Sequence, residues 1–316
     1  MGTYCFGIDV GGTTVKCGLF MTDGTLVEQW EIPTRTENEG QSILTDIAHT
    51  IQEKVDEMGI EQDNIEGVGI GIPGPVNEKG EVPVAVNLHW KFKAVASELS
   101  ALTGLKARAG NDANVAALGE AWKGAASGSR SVLMITLGTG VGGGLIIDGK
   151  IVSGFHGAGG EVGHANVNHQ ETIACNCGNC GCLEQYCSAT GIARLAREEM
   201  ASYKGESLLT QAYKNQELGA KEVFDAYKEG DEAAVNIIER FGDILGGALA
   251  IFASVIDPEA IVIGGGVSRA GKPLIEVLQK YYQKYAFSAC RETPIELASL
   301  GNNAGIYGAA RMVLVH

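Results

Sequence analysis

The pattern that most constrains the fold occurs twice: an apolar strand, a bend of glycine and threonine, a second strand and an Asp-Gly turn. The first copy runs from Tyr4 to Val10, through Gly11-Gly12-Thr13-Thr14, along Val15 to Phe20 and into Asp23-Gly24. The second runs from Ser131 to Leu137, through Gly138-Thr139-Gly140-Val141-Gly142-Gly143-Gly144, and along Leu145 to Val152 around Asp148-Gly149. Short apolar runs bounded by turn residues read as strands, and an Asp-Gly pair between two such runs reads as a hairpin turn. A chain that repeats this unit is expected to fold as two similar halves facing each other.

Helices fill the intervals. Ile43, Leu44, Ile47, Ile51, Val55 and Met58 form a helical stripe, and Ile65 to Ile72 is a strand ended by Pro73-Gly74-Pro75. From Leu105 a strand leads to Asn111-Asp112, and an alanine-rich helix follows from Ala113 to Ala126. Further helices are expected over Gly191 to Met200, Ala220 to Tyr227, Glu232 to Val255 and Lys272 to Tyr285, with a strand at Ala260 to Ile263 and a last helix from about Asn303 to Val313. Strands alternating with helices and hairpins predict an α/β protein with mixed sheets.

Composition excludes several partners. The formal charge is −14, with 45% hydrophobic and 20% charged residues, so the chain can bury a large core but offers no basic face to nucleic acid or an anionic membrane. Met1 to Gly12 lacks a basic segment followed by a sustained apolar run, and the most apolar stretches are broken by glycine, which leads to the expectation of a cytoplasmic protein without a membrane span.

Cys175-Asn176-Cys177-Gly178-Asn179-Cys180-Gly181-Cys182 crowds four of the eight cysteines into one segment, eleven residues after His164. Glycines between them permit the positive-φ turns that bring Cys175, Cys177 and Cys182 onto one tetrahedral ion, with His164 as fourth ligand. A disulfide framework is the competing reading, but the length of the chain and its opening favour reduced thiols and zinc. Four ligands close the metal site and make Zn2+ structural. Cys180 could compete as a ligand, whereas Cys5, Cys17, Cys187 and Cys290 read as small core residues.

Asp9, Gly11, Gly12, Thr13, Thr14 and Lys16 offer clustered N–H groups, hydroxyls and a carboxylate, which suit phosphate oxygens and a magnesium ion (Mg2+). The spacing is not that of a P-loop. Alone it would be a plain turn; paired with Gly138, Thr139, Gly140 and Gly142 it reads as half of a phosphate site, because glycine inside strands weakens them and needs a reason such as close ligand approach. Gly264, Gly265 and Gly266 could lie against a purine or ribose, or form only a strand-to-helix turn. Asp112 either caps the following helix or accepts a proton from an attacking hydroxyl that Asn111 orients, and the two roles can coexist. Glu161, His164 and Glu184 suit the paired donors and acceptors of a sugar.

Assembled, these motifs resemble the ROK family of sugar kinases, in particular its bacterial ATP-dependent glucokinases, within the actin, hexokinase and Hsp70 superfamily. Gly71-Ile72-Pro73-Gly74-Pro75-Val76, Asn111-Asp112-Ala113-Asn114 and Gly159-Gly160-Glu161-Val162-Gly163-His164 carry the resemblance with the bends and the cysteine motif. It implies a two-domain, ribonuclease H-like α/β fold with a sugar cleft between the domains: residues 1–110 with a C-terminal helix at about 303–316, and residues 111–302 with a zinc-binding insertion at 164–184. It implies ATP-dependent phosphorylation of glucose or a closely related hexose at the C6 hydroxyl, with Asp112 as base. Asn87, Asn111, Glu161, His164 and Glu184 are the implied sugar contacts, and a homodimer or dimer of dimers the implied assembly. Many relatives carry glycine where this chain has His89, so contacts there can differ. The rivals are a kinase for N-acetylmannosamine or another hexose, polyphosphate as donor, and a sugar-responsive transcriptional regulator, which would need a helix-turn-helix ahead of the first strand.

Overall fold

The computed structural model describes residues 2–315; Met1 and His316, with which the expected domain ranges begin and end, lie outside the described residues. Tyr4–Val10 (β1), Thr14–Met21 (β2) and Leu26–Pro33 (β3) form an antiparallel ladder, with Asp9 opposite Lys16 across the first bend. A helical turn at Glu37–Gly40 (α1) and the helix Ile43–Met58 (α2) lead to Ile65–Ile72 (β4), which pairs parallel to β1. Val95–Thr103 (α3) precedes Ala107–Asn111 (β5), parallel to β4, and Asp112–Lys123 (α4) follows without a break. The sheet order is β3-β2-β1-β4-β5.

The second copy repeats it. Val132–Leu137 (β6), Val141–Ile147 (β7) and Lys150–Ile151 (β8) come first. Helices follow at Glu184–Cys187 (α5), Ala189–Ser202 (α6), Thr210–Lys214 (α7), Ala220–Lys228 (α8) and Glu232–Ile256 (α9). Ala260–Gly264 (β9), Lys272–Tyr285 (α10), Ile295–Leu297 (β10) and Ala304–Leu314 (α11) complete the chain. The order β10-β9-β6-β7-β8 is that of the first sheet read from its other edge, with β9 and β10 parallel and β7 and β8 antiparallel. The mixed α/β architecture and its internal repeat are therefore as expected.

One detail differs. The glycines after Leu137 do not form one long bend, because the turn closes by Gly140 and Gly142, Gly143 and Gly144 lie within β7. A Cβ at Gly144 would stand 2.5 Å from the Ala117 Cβ and 2.7 Å from the Ala113 carbonyl oxygen, so this glycine lets the strand lie against α4.

Contacts divide the chain into two compact units. The first holds everything up to Val132, then Gly144–Gly160 and the chain from Ser299 onward; the second holds Leu133–Gly143 and Glu161–Ala298. The division differs from the expected cut at residue 110, since α4 stays with the first sheet. The reason is close helix packing: a Cβ at Gly308 of α11 would lie 1.6 Å from the Val115 carbonyl oxygen, and one at Gly119 of α4 2.2 Å from that of Ala304. α11 also lies on the sheet at Gly7 and Gly69, where a Cβ would stand 2.0 and 1.8 Å from the carbonyl oxygens of Ile306 and Ala309. Each unit has its own core, Phe6, Ile8, Leu19, Ile47 and Ile70 in the first, and Ile135, Phe241, Leu245, Leu278 and Tyr282 in the second. Each such buried side chain contributes roughly 1.5–3 kcal/mol by removal from water.

Candidate active site

In the first unit, Asp9 is the last residue but one of β1, beside the bend. Gly11 N donates to the Thr14 carbonyl at 3.0 Å, and Thr34, absent from the sequence expectations, pins the bend through its hydroxyl to Gly11 O at 2.7 Å and its N–H to Thr13 O at 2.8 Å. Gly12 and Thr13 are exposed, and the nearest atom to a Cβ at Gly12 would be that of Asn87 at 3.9 Å, so Asn87 borders the bend. Asp9 itself is seated on Gly305 of α11, where a Cβ would lie 2.5 Å from its carboxyl carbon. Burial, and after it the neighbouring Asp112, push the Asp9 carboxyl up to about 6, against a smaller downward pull from Lys16. Lys16 Nζ donates to the Asn302 carbonyl at 3.1 Å.

Asn111, not Asp112, caps α4: its Oδ1 accepts from Asn114 N at 3.1 Å. Both Asn111 amide hydrogens are engaged, with Gly74 O and Asp112 Oδ1, each at 3.0 Å. Asp112 is thus the first helical residue, its Oδ1 also accepting from Ala113 N at 2.8 Å. Three residues beyond Asn87, the Trp90 indole donates to Gly40 O at 3.1 Å, and His89 between them adopts φ 58°, the left-handed region in which glycine is at ease. Glycine at this position would take the same conformation without strain.

In the second unit, the bend after β6 is tight. Gly138 N donates to Gly140 O at 2.9 Å, and the start of α6 grips it through Ala189 N to Gly138 O at 2.8 Å and Thr190 Oγ1 to Thr139 O at 2.9 Å. Gly265, at φ 84°, crosses the end of β6 so closely that a Cβ would lie 2.5 Å from Leu137 O, while nothing stands within 4 Å of one at Gly266. The glycines expected to meet phosphate and adenosine are therefore neighbours. Gly140 has a different neighbour from the expected phosphate: a Cβ there would stand 2.1 Å from Glu184 Oε2, which accepts from Val141 N at 2.9 Å.

The four expected metal ligands converge. The donor atoms of His164, Cys175, Cys177 and Cys182 all lie within 4.8 Å of one another, with Cys177 Sγ 3.6 Å from Cys182 Sγ and Cys175 Sγ 3.9 Å from His164 Nδ1. A tetrahedral zinc ion needs such donors roughly 3.5–3.8 Å apart, so the set can close on one through shifts of about 1 Å or less. Gly178 and Gly181 take φ of 90° and 78°, as the turns between the thiols require. Burial, followed by the neighbouring thiols, pushes Cys182 up to about 12, so a bound cation is needed to hold it as thiolate at neutral pH. With Nδ1 toward the thiols, His164 turns Nε2 toward Glu161 Oε2 at 4.0 Å, and Glu184 Oε1 lies 3.6 Å from Cys175 Sγ. Glu161, His164 and Glu184 are thus grouped around the cluster. Cys180 stands outside it, its carbonyl accepting from Asn166 Nδ2 at 2.8 Å, and Cys5, Cys17, Cys187 and Cys290 are buried in the core.

A twice-used five-strand topology, each copy bearing a glycine bend, with carboxylates in one unit and a thiol–imidazole cluster in the other, narrows the class. The ROK family model matches residues 5–315, and the chain belongs to the ROK family. It is 40% identical to a glucokinase of Halalkalibacterium halodurans over 97% of this chain and 94% of that one. It is 31% identical to the N-acetyl-D-glucosamine kinase of Haemophilus influenzae over 98% of this chain and 99% of that protein. Among solved structures, a ROK family glucokinase from Streptomyces griseus, in complex with glucose and AMPPNP, is similar at a TM-score of 0.73 and 31% identity, with 98% of each chain covered. The fold is accordingly the two-domain actin/hexokinase-like α/β fold.

Proposed function

We propose that the chain transfers the γ-phosphoryl group of ATP to the C6 hydroxyl of glucose, releasing glucose 6-phosphate and ADP. The observation that carries this reading is its end-to-end likeness to a glucokinase, joined to the solved relative that holds glucose and an ATP analogue. In the proposed reaction Asp112 accepts the C6 hydroxyl proton as that oxygen bonds the γ-phosphorus, and the bond from phosphorus to the β–γ bridging oxygen breaks. Asn111 holds Asp112 in place, a role its committed amide supports better than direct orientation of the sugar. The bends at Asp9–Thr14 and Gly138–Gly140 supply N–H groups to the phosphate chain, and Gly264, Gly265 and Gly266 approach the adenosine. Mg2+, held on the Asp9 side, would neutralise phosphate charge. Zinc would fix the ring of His164, leaving Nε2, with Glu161 and Glu184, to read sugar hydroxyls.

Phosphorylation of an N-acetyl sugar is the second reading, favoured by the Haemophilus influenzae relative. A coupled ADP-release assay with MgATP against glucose, N-acetylmannosamine, N-acetylglucosamine, mannose and fructose separates them. Glucose should win, and a winning N-acetyl sugar would reassign the pocket around Glu161, His164 and Glu184. Substituting polyphosphate for ATP in the same assay tests the donor. Asp112→Ala should lose nearly all turnover while keeping glucose binding; activity within about tenfold of the parent would remove Asp112 as base. A homodimer or dimer of dimers in the cytoplasm is also proposed, supported by the exposed Ile251, Val255 and Phe287 of the second unit, and light scattering would test the assembly. Among the described residues no helix is long and apolar enough to cross a membrane.

A further inference from the structure

Four polar or charged side chains are buried among the described residues, and two of them, Asn114 and Glu120, lie on α4, the helix that opens with Asp112. Asn114 Oδ1 accepts from Leu145 N at 3.1 Å, and its Nδ2 donates to Gly159 O at 3.1 Å. Glu120 Oε1 accepts from Leu300 N at 2.9 Å, and its Oε2 from Ser299 N at 3.1 Å and Ala125 N at 2.8 Å. The bonded segments are not scattered. The chain enters the first unit at Gly144, leaves it after Gly160 and returns at Ser299, so these two side chains hold the backbone within two residues of three passages between the units.

We propose that Asn114 is a positioning residue for phosphoryl transfer: it ties the passages at Leu145 and Gly159 to the helix end that presents Asp112, while Glu120 ties down the passage at Ser299. Geometry within α4 links the grip to the base. Asn114 N is the donor that the Asn111 cap accepts, and Asn111 Nδ2 in turn donates to Asp112 Oδ1. A helix turn closed this way moves as one body, so losing the grip at Asn114 shifts Asp112 relative to the backbone that leads to the second unit. Misplacement of a reacting group by about 1 Å can lower a rate by about 100-fold without altering substrate affinity. The rest of the first unit does not need the Asn114 amide for its core, which is formed by apolar side chains of β1, β2, β4 and α2.

The inference rests on Asp112 as the base, and the test separates failure of the one from failure of the other. In Asn114→Ala, kcat for the preferred sugar should fall about 10- to 100-fold. The KM for sugar and that for ATP should each stay within about threefold, and the ATP hydrolysed per sugar phosphorylated should rise, because a displaced base lets water compete. Asn114→Asp keeps an acceptor for Leu145 N but no donor for Gly159 O, and should recover part of kcat. Hydrogen exchange of the Leu145 amide, which needs no activity, should accelerate at least tenfold in Asn114→Ala and return toward the parent rate in Asn114→Asp. Unchanged kcat, or a loss of kcat matched by equal losses in both KM values and in the fraction folded, would overturn the proposal. So would an unaltered Leu145 exchange rate, including in Asn114→Asp if the alanine variant fails to fold. Should Asp112→Ala retain activity while Leu145 exchange responds as expected, the base assignment fails and the grip stands as structure alone.

Discussion

At the scale of single residues, several glycines and one histidine mean something different in three dimensions from what they mean in sequence. Gly140 was expected to give phosphate room, yet the group that occupies the space of its missing Cβ is the Glu184 carboxylate. Gly140→Ala should therefore raise the KM for sugar at least tenfold while the KM for ATP changes less; initial rates with each substrate varied would check this, and a selective rise for ATP would show that the added methyl disturbs the phosphate chain rather than Glu184. His89 sits at φ 58°, a conformation that strains most side chains by about 1 kcal/mol. His89→Gly should consequently leave stability unchanged or raise it by up to about 1 kcal/mol in denaturant unfolding, and a loss of stability would show that the imidazole makes a compensating contact. Asp9 supplies the pH dependence. Its folded pKa of about 6 exceeds the ordinary 3.8, so its charge opposes folding fully above pH 6, and the opposition fades as pH falls through 6 toward 3.8. This is the reverse of an ion-paired carboxylate. Asp9→Asn should stabilise the protein on the order of 2 kcal/mol at pH 8 and scarcely at all at pH 4, read from unfolding curves at both pH values. None of these three effects was legible in the sequence, because φ, burial and the neighbour of an absent Cβ are properties of the folded backbone.

At the scale of elements, local patterns carried further. α2, β4 and α10 begin and end where the apolar stripes and turn residues put them, since 3.6- and 2-residue periodicities are written in consecutive positions. The cap of α4 was misassigned: Asn and Asp cap equally well, and only the backbone at Asn111, extended at ψ 140°, marks which of the two precedes the helix. The cysteine segment was legible as a candidate metal site because its spacing is short, but its second anchor was not. Tyr186 OH donates to Glu171 Oε2 at 2.6 Å, Asn168 Nδ2 donates to that hydroxyl at 2.9 Å, and Arg194 pairs with the same carboxylate. The tyrosine and then the arginine hold Glu171 down to about 2, so this anchor persists at pH 4.5 and is lost only as pH falls toward 2. Removing metal with a strong chelator at pH 7 should accordingly speed amide exchange in residues 174–182 and leave residues 168–173 protected. Loss of protection in both segments would mean that zinc, rather than the Glu171 cluster, holds the whole loop.

At the scale of the whole molecule, the end of the chain completes its beginning. α11 rests on Gly7, Gly69 and Gly119, residues separated from it by most of the sequence, and carries Gly305 under Asp9. A chain cut before Ser299 should then fail to give a soluble first unit with cooperative unfolding, and a sharp, parent-like transition by circular dichroism would contradict this. Sequence alone determined the α/β class, the doubled strand–bend–strand unit, the ROK resemblance and the four thiol and imidazole residues that converge as a candidate metal site, because each is carried by composition, period or short spacing. Tertiary structure alone decided that α4 and the segment 144–160 belong with the first sheet, that Asn114 and Glu120 hold three passages of the backbone, and that Gly140 yields its space to Glu184. Those features depend on contacts between positions far apart in the chain, and complementarity of distant surfaces leaves no periodic trace in the residues that form it.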